Sequence, residues 1–109
     1  PAPPAPPPAG PTTRAEPRGR LGATITADDY PQASIRAEEE GSVVARYTID
    51  TDGKVVKGSC SIQTSSGSSR LDTQTCSLIE RRFRFKPAQQ NGQPVQETRS
   101  QAFRWQIPK

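Results

Sequence analysis

The chain has 109 residues, of which 30% are hydrophobic and 6% aromatic, with 12 Pro, 2 Cys, no His and a net charge of +4. That length suits one small domain plus a tail; it excludes a multidomain enzyme and, with no apolar run near ~18 residues, a membrane-spanning helix within the sequence. Without His, the common His zinc sites and the Ser-His-Asp and Cys-His catalytic sets are absent, so no metal, no cofactor and no catalytic residue is expected.

The prolines are concentrated at one end. Pro1, Pro3, Pro4, Pro6, Pro7, Pro8, Pro11 and Pro17 all fall in the first 17 residues, and residues 1–20 contain no Val, Ile, Leu, Phe, Tyr or Trp. Such a stretch buries too little apolar surface to offset its ordering entropy, so it is expected to be disordered. In polyproline II it rises about 3.1 Å per residue, which makes Pro1 to Pro11 a spacer of roughly 30 Å. A PxxP ligand and a terminus without a role are the other readings. From Leu21 onward the composition changes, and all the aromatic residues lie there.

Asp28 or Asp29 ahead of Tyr30-Pro31 reads as a helix start, because the carboxylates cap free N–H groups and Pro is tolerated in a first turn. The helix is expected to run through Gln32, Ala33, Ile35, Arg36 and Ala37 and to end at Gly41. Val43, Ala45, Tyr47 and Ile49 then alternate with Val44, Arg46, Thr48 and Asp50, the pattern of a half-buried strand. Asp50 to Gly53 is a turn. A second strand is expected from Lys54 to about Ile62, with Val56, Cys60 and Ile62 inward and a bulge at Gly58. After a Ser-rich loop, Ser69 and Asp72 resemble a capping box opening a helix. That helix shows Leu71, Thr75, Cys76, Ile79 and Phe83 at helical spacing and is expected to end at Pro87. Ala88 to Pro94 reads as a polar loop containing Asn91-Gly92. A last strand runs from about Thr98 to Ile107, closed by Pro108. The expected fold class is α+β: a three-stranded antiparallel sheet with two helices packed on one face.

Cys60 and Cys76 fall on the second strand and the second helix, positions that a strand–loop–helix unit can bring together. A disulfide would close a loop worth about 3 kcal/mol by chain entropy and would require an oxidising compartment; two separate buried thiols are the alternative. Glu38-Glu39-Glu40 reads as a solvated run. Gly67 among serines lacks the Lys and spacing of a phosphate loop. Arg81, Arg82, Arg84 and Lys86 interleave with Phe83 and Phe85, but those aromatics fit the core as well as they fit bases, and no nucleic-acid partner is expected. The last strand is more suggestive. A terminal strand in a three-stranded sheet is often an edge, and an edge accepts an extended peptide by β-augmentation. Arg99 and Arg104 could equally keep that edge inert.

The series Tyr30-Pro31, Glu40-Gly41-Ser42-Val43, Ile49-Asp50, Asp52-Gly53-Lys54-Val55, Ser65-Ser66-Gly67, Leu71-Asp72, Arg82-Phe83-Arg84-Phe85-Lys86-Pro87-Ala88 and Gly92-Gln93-Pro94-Val95 resembles the TonB C-terminal domain over residues 28–107. The domain is accordingly taken as 28–109 and the Pro-rich linker as 1–27. The cysteine pair resembles a cysteine-bearing variant of the family. The resemblance implies a periplasmic domain of an energy transducer, anchored in the inner membrane through a segment upstream and driven there by ExbB–ExbD. It implies capture of the TonB box of outer-membrane receptors as an added strand, on Thr98, Arg99, Ser100, Gln101, Ala102, Phe103, Arg104, Trp105, Gln106 and Ile107. Pairing of two copies through their edge strands is a further expectation. A TolA-like envelope module is the alternative. The resemblance also implies a secondary receptor contact in the segment before Tyr30-Pro31, where Ala27-Asp28-Asp29 departs from the family in its acidity.

Overall fold

A computed structural model describes residues 13–19 and 22–107; Pro1–Thr12, on which the Pro-rich part of the expected linker falls, Arg20, Leu21, Pro108 and Lys109 lie outside the described residues. The elements in order are β1 (Glu16–Pro17), a 3-10 turn (Ala27–Asp29), α1 (Gln32–Arg36), β2 (Gly41–Ile49), β3 (Ser61–Thr64), α2 (Ser69–Arg82), β4 (Phe85–Lys86), β5 (Ala88–Gln90), β6 (Gln93–Val95) and β7 (Glu97–Trp105). The main sheet is antiparallel with strand order β3-β2-β7. The expected α+β class holds, with the strand of clearest alternation at the centre.

That alternation decides the layers. Val43, Ala45, Tyr47 and Ile49 are buried, while Ser42 and Arg46 are exposed on the opposite face. Side chains one position apart on a strand point to opposite faces, so one face of β2 forms the core floor. Helix α2 covers it with Leu71, Thr75, Leu78 and Ile79, which recur at helical spacing. Phe83, Phe85 and Phe103 close the core around Tyr47, with Phe83 and Phe103 centroids 5.8 Å apart. Each large apolar side chain buried here contributes roughly 1.5–3 kcal/mol.

The boundaries differ from the sequence expectation in several places. Helix α1 ends before Glu38, which takes a left-handed φ of 57°, rather than at Gly41. Gly41 instead opens β2, where a Cβ would meet the Ser66 carbonyl oxygen at 2.3 Å. The second strand is broken: Lys54 and Val55 make isolated bridges, Gly58 turns the chain at φ 84°, and pairing resumes at Ser61. Val55, not Val56, is therefore the buried residue. Helix α2 is capped by Ser68, whose side chain accepts from the Leu71 N–H at 3.3 Å, and not by Ser69. Asp72 serves the preceding loop, accepting from Ser66 N–H at 2.9 Å and Ser66 Oγ at 2.7 Å. The helix stops at Arg82, five residues before Pro87, because Phe83 and Phe85 both face the core and only an extended backbone puts residues i and i+2 on one side. The expected polar loop is a hairpin of β5 and β6, with Asn91 at φ 54° and Gly92 at φ 77° forming its two-residue turn.

The composition boundary also differs from the contact boundary. Thr13 to Arg18, within the expected linker, lies antiparallel to the chain after α2, with Glu16 opposite Lys86 and Pro17 opposite Phe85. Backbone hydrogen bonds hold it, which a scan for apolar side chains does not see.

Candidate functional site

Strand β7 pairs with β2 along its whole length, from Glu97 opposite Ile49 to Trp105 opposite Gly41. Among the described residues no strand pairs with its other side. Which amides face that open side follows from β2. The Thr48 N–H donates to Ser59 Oγ at 3.2 Å, and the Thr48 carbonyl accepts from Val56 N–H at 2.9 Å. Both Thr48 groups thus point toward the β3 side and away from β7. In an antiparallel ladder, directly opposed residues alternate between bonded and non-bonded pairs. Thr48–Thr98 is therefore a non-bonded pair, consistent with the close contact of 2.8 Å between the two hydroxyl oxygens. It follows that Glu97, Arg99, Gln101, Phe103 and Trp105 bond β2. Thr98, Ser100, Ala102 and Arg104 turn their N–H and C=O groups to the open edge.

The side chains divide by the same parity. Thr98, Ser100, Ala102 and Arg104 are exposed on the outer face of the sheet; the strand expected to reach Ile107 ends at Trp105, so Gln106 and Ile107 lie beyond it. The other set is engaged on the inner face. Gln101 Oε1 accepts from the Tyr47 hydroxyl at 2.8 Å. Burial pushes the Tyr47 hydroxyl up to about 12. Trp105 Nε1 donates to Thr75 Oγ1 at 2.9 Å, and its ring meets Tyr30 edge-on at 5.1 Å. Ile107 N–H donates to Glu40. Phe103 is buried. This rigid inner row fixes the strand while leaving its edge open.

Arg99 is committed inward. Its guanidinium pairs with Glu97, lies 5.2 Å from the Phe85 ring centroid and donates to the Ala15 carbonyl at 2.6 Å. Burial would raise the Glu97 carboxyl, but hydrogen bonds from Arg99 and the Ala15 N–H, with the nearby Arg99 and Arg14 charges, hold it below its ordinary value. Of the two arginines expected at the edge, Arg104 alone has no side-chain partner among the described residues and can face an approaching peptide. Arg104 also lines a cleft of about 310 Å³ with Glu40, Gly41, Ser42, Trp105 and Gln106.

The remaining candidate residues are placed as follows. Cys60 and Cys76 form a disulfide with Cα atoms 5.5 Å apart, tying the segment before β3 to α2. Glu80 supports the same junction, accepting from the N–H groups of Gly58 and Cys60 at 2.9 Å each. Phe83 and Phe85 are buried, so they offer no stacking surface to bases. Arg82 is structural: it donates to both Asp29 oxygens at 2.6 and 2.7 Å and to the Thr24 carbonyl at 2.6 Å. Ala27-Asp28-Asp29 is thereby pinned to α2. Among the described residues no group of three or more His, Cys, Asp or Glu could hold a metal ion, and no helix is long and apolar enough to cross a membrane. Sequence reasoning missed the contacts of Thr13 to Arg18 entirely.

The family model for the Gram-negative bacterial TonB protein C-terminal region matches residues 26–107. The solution NMR structure of the Pseudomonas aeruginosa TonB CTD is similar, with a TM-score of 0.59, 24% sequence identity, and coverage of 87% of this chain and 88% of that one. At that identity the likeness is one of fold. No curated protein matches the chain.

Proposed function

This chain belongs to the TonB C-terminal domain family, and from that premise we propose that it is the periplasmic receptor-binding end of an energy transducer. It takes the extended TonB box of an outer-membrane receptor as an added strand on β7. It passes to that strand a pull generated at the inner membrane, where ExbB–ExbD act on an upstream anchor helix. The Pro-rich residues before Thr13 are the spacer. The domain acts by binding, not by bond-making chemistry.

The observation that carries this reading is the open edge of β7, where four consecutive alternate residues present unpaired backbone groups. Strand addition draws its affinity from such groups, and its specificity from the side chains beside them. The disulfide suits an oxidising compartment such as the periplasm. Each backbone bond contributes a net ~0.5–1.5 kcal/mol, and ordering a free peptide costs ~2–5 kcal/mol, so affinity should be no tighter than micromolar. A contact of that strength forms and releases in cycles. The same edge can pair with its counterpart in a second copy, a pairing that the peptide would displace.

The test is calorimetric titration of the chain with a synthetic TonB-box peptide, repeated on Ala102→Pro. Proline there removes one outward N–H while leaving the β2 ladder intact. Micromolar binding that weakens about tenfold or more supports the reading. Binding unchanged by Ala102→Pro contradicts it.

A further inference from the structure

The docked segment Thr13–Arg18 lies outside the family match, which begins at residue 26. It is fastened almost wholly through polar groups. Thr13 exchanges two backbone hydrogen bonds with Gln89, both 2.9 Å, and Arg18 N–H donates to the Arg84 carbonyl at 2.9 Å. Arg18 Nε donates to the Phe85 carbonyl at 3.0 Å. Between them Ala15 is 4% exposed, donates its N–H to Glu97 at 3.2 Å and accepts from Arg99. Gly22 closes the segment: its carbonyl accepts from Arg84 N–H at 2.8 Å, and a Cβ there would meet the Arg18 carbonyl oxygen at 2.2 Å. The segment buries one methyl group and no large apolar side chain. Elements held by few apolar contacts open at low free energy, well below global unfolding. The next anchor along the chain is heavier. Arg82 grips Asp29 and Thr24, and Tyr30 is buried against Trp105.

We propose that Thr13–Arg18 is a releasable latch. Tension entering through the Pro-rich tail peels it from Arg84–Gln90 while the domain stays folded, and release exposes Glu97 and Arg99 on the inner flank of β7. With the latch docked, Ala15 sits against both side chains, so the inward-pointing side chains of a strand added at that end of β7 meet the latch. With the latch released, they have that inner flank open. Only this second consequence rests on β7 as the accepting strand; the release itself does not.

Two variants of the whole chain set the latch. Ala15→Glu forces a carboxylate into the closed slot facing Glu97 and detaches it. Glu16→Cys with Lys86→Cys, two directly opposed residues, locks it. The first readout is amide hydrogen exchange without peptide. The Arg18 and Gln89 amides should exchange at least tenfold faster than those of Val43 and Ala45, faster still in Ala15→Glu, and slowly when locked. Exchange of Arg18 and Gln89 at the core rate would overturn the latch. The second is pulling from the N-terminus against a C-terminal handle. A reversible lengthening of at most ~35 Å, the reach of about ten extended residues, should precede unfolding and vanish on locking. A single unfolding step in the unlocked chain would overturn it. The third is titration with the TonB-box peptide, which should bind Ala15→Glu about three- to tenfold more tightly than the locked chain. Equal affinities would overturn the effect on β7. Absence of peptide binding to every form would overturn strand addition and leave the latch to the first two readouts.

Discussion

At the scale of single residues, parity along β7 separates effects that position alone would merge. Ala102 and its neighbour Gln101 differ in where their amides point. Proline at Ala102 should leave the melting temperature nearly unchanged, because Pro is tolerated on an edge when its missing N–H faced outward. Proline at Gln101 removes a ladder bond to Ala45 and leaves its carbonyl unpaired, which should cost about 1–3 kcal/mol, read as a fall in the denaturation midpoint. Gly53 is a second such position. It holds φ at 89°, and a Cβ would come within 1.9 Å of the Phe85 carbonyl oxygen. Gly53→Ala should destabilise by about 2 kcal/mol or more in urea unfolding, the combined result of strain and a shifted β4. Tyr47 makes a pH prediction. Its pKa is raised by burial to about 12 from an ordinary 10.0. A raised folded value means the unfolded chain ionises first as pH rises. The contribution is whole below pH 10 and is lost between pH 10 and about 12, so alkaline titration should unfold the domain as the tyrosinate absorbance appears. Tyr47→Phe should remove that part of the alkaline sensitivity, at the cost of the bond to Gln101.

Among the elements, α2 and the segment before β3 depend on the disulfide. Cys60 and Cys76 close a loop of 16 residues. Replacing both by Ser should lower stability by about 2–4 kcal/mol, measured by chemical denaturation against the oxidised chain. Peptide affinity should be largely kept, because the bridge lies on the β3 side of β2 and the accepting edge on the other. The elements also show what a sequence makes legible. Residues Val43 to Ile49 announced a strand with one buried face, because side-chain period and burial coincide there. The α2 stripe was equally plain. The exit from α2 was not: Phe83 fits the helical stripe, and only its packing beside Phe85 shows that the backbone has already become extended. Asn91-Gly92 carried a hairpin signal, but its flanks Gln89, Gln90 and Gln93 lack the apolar alternation that would have identified strands. The edge character of β7 was readable from its place at the end of a three-stranded sheet. The parity of its amides was not, since it depends on register. The Thr13–Arg18 contacts were hidden for a related reason: main-chain groups make them, and every residue has those.

At the scale of the whole molecule, two acidic side chains tie chain segments to the core. Asp29 is held below its ordinary value chiefly by the hydrogen bond from Arg82 and, with Arg82, pins the segment before α1 to the helix. Glu97, also lowered against the opposing effect of burial, holds the latch. A lowered folded value gives stability that is present above the ordinary carboxylate range and is lost as pH falls through the folded value. Acidification below about pH 4 should therefore loosen the N-terminal segments before it unfolds the sheet, which amide exchange at graded pH would resolve. Among the described residues, β7 leaves one strand edge open and Thr13–Arg18 docks on the chain after α2. Strand addition on β7 is tested most directly by hydrogen exchange of the individual β7 amides with and without TonB-box peptide. Thr98, Ser100, Ala102 and Arg104 should exchange fast in the free chain and become protected with peptide, while Arg99, Gln101 and Phe103 should be protected in both. Protection that instead gathers at Arg81–Lys86 or Glu38–Glu40, with those four amides still fast, would contradict it.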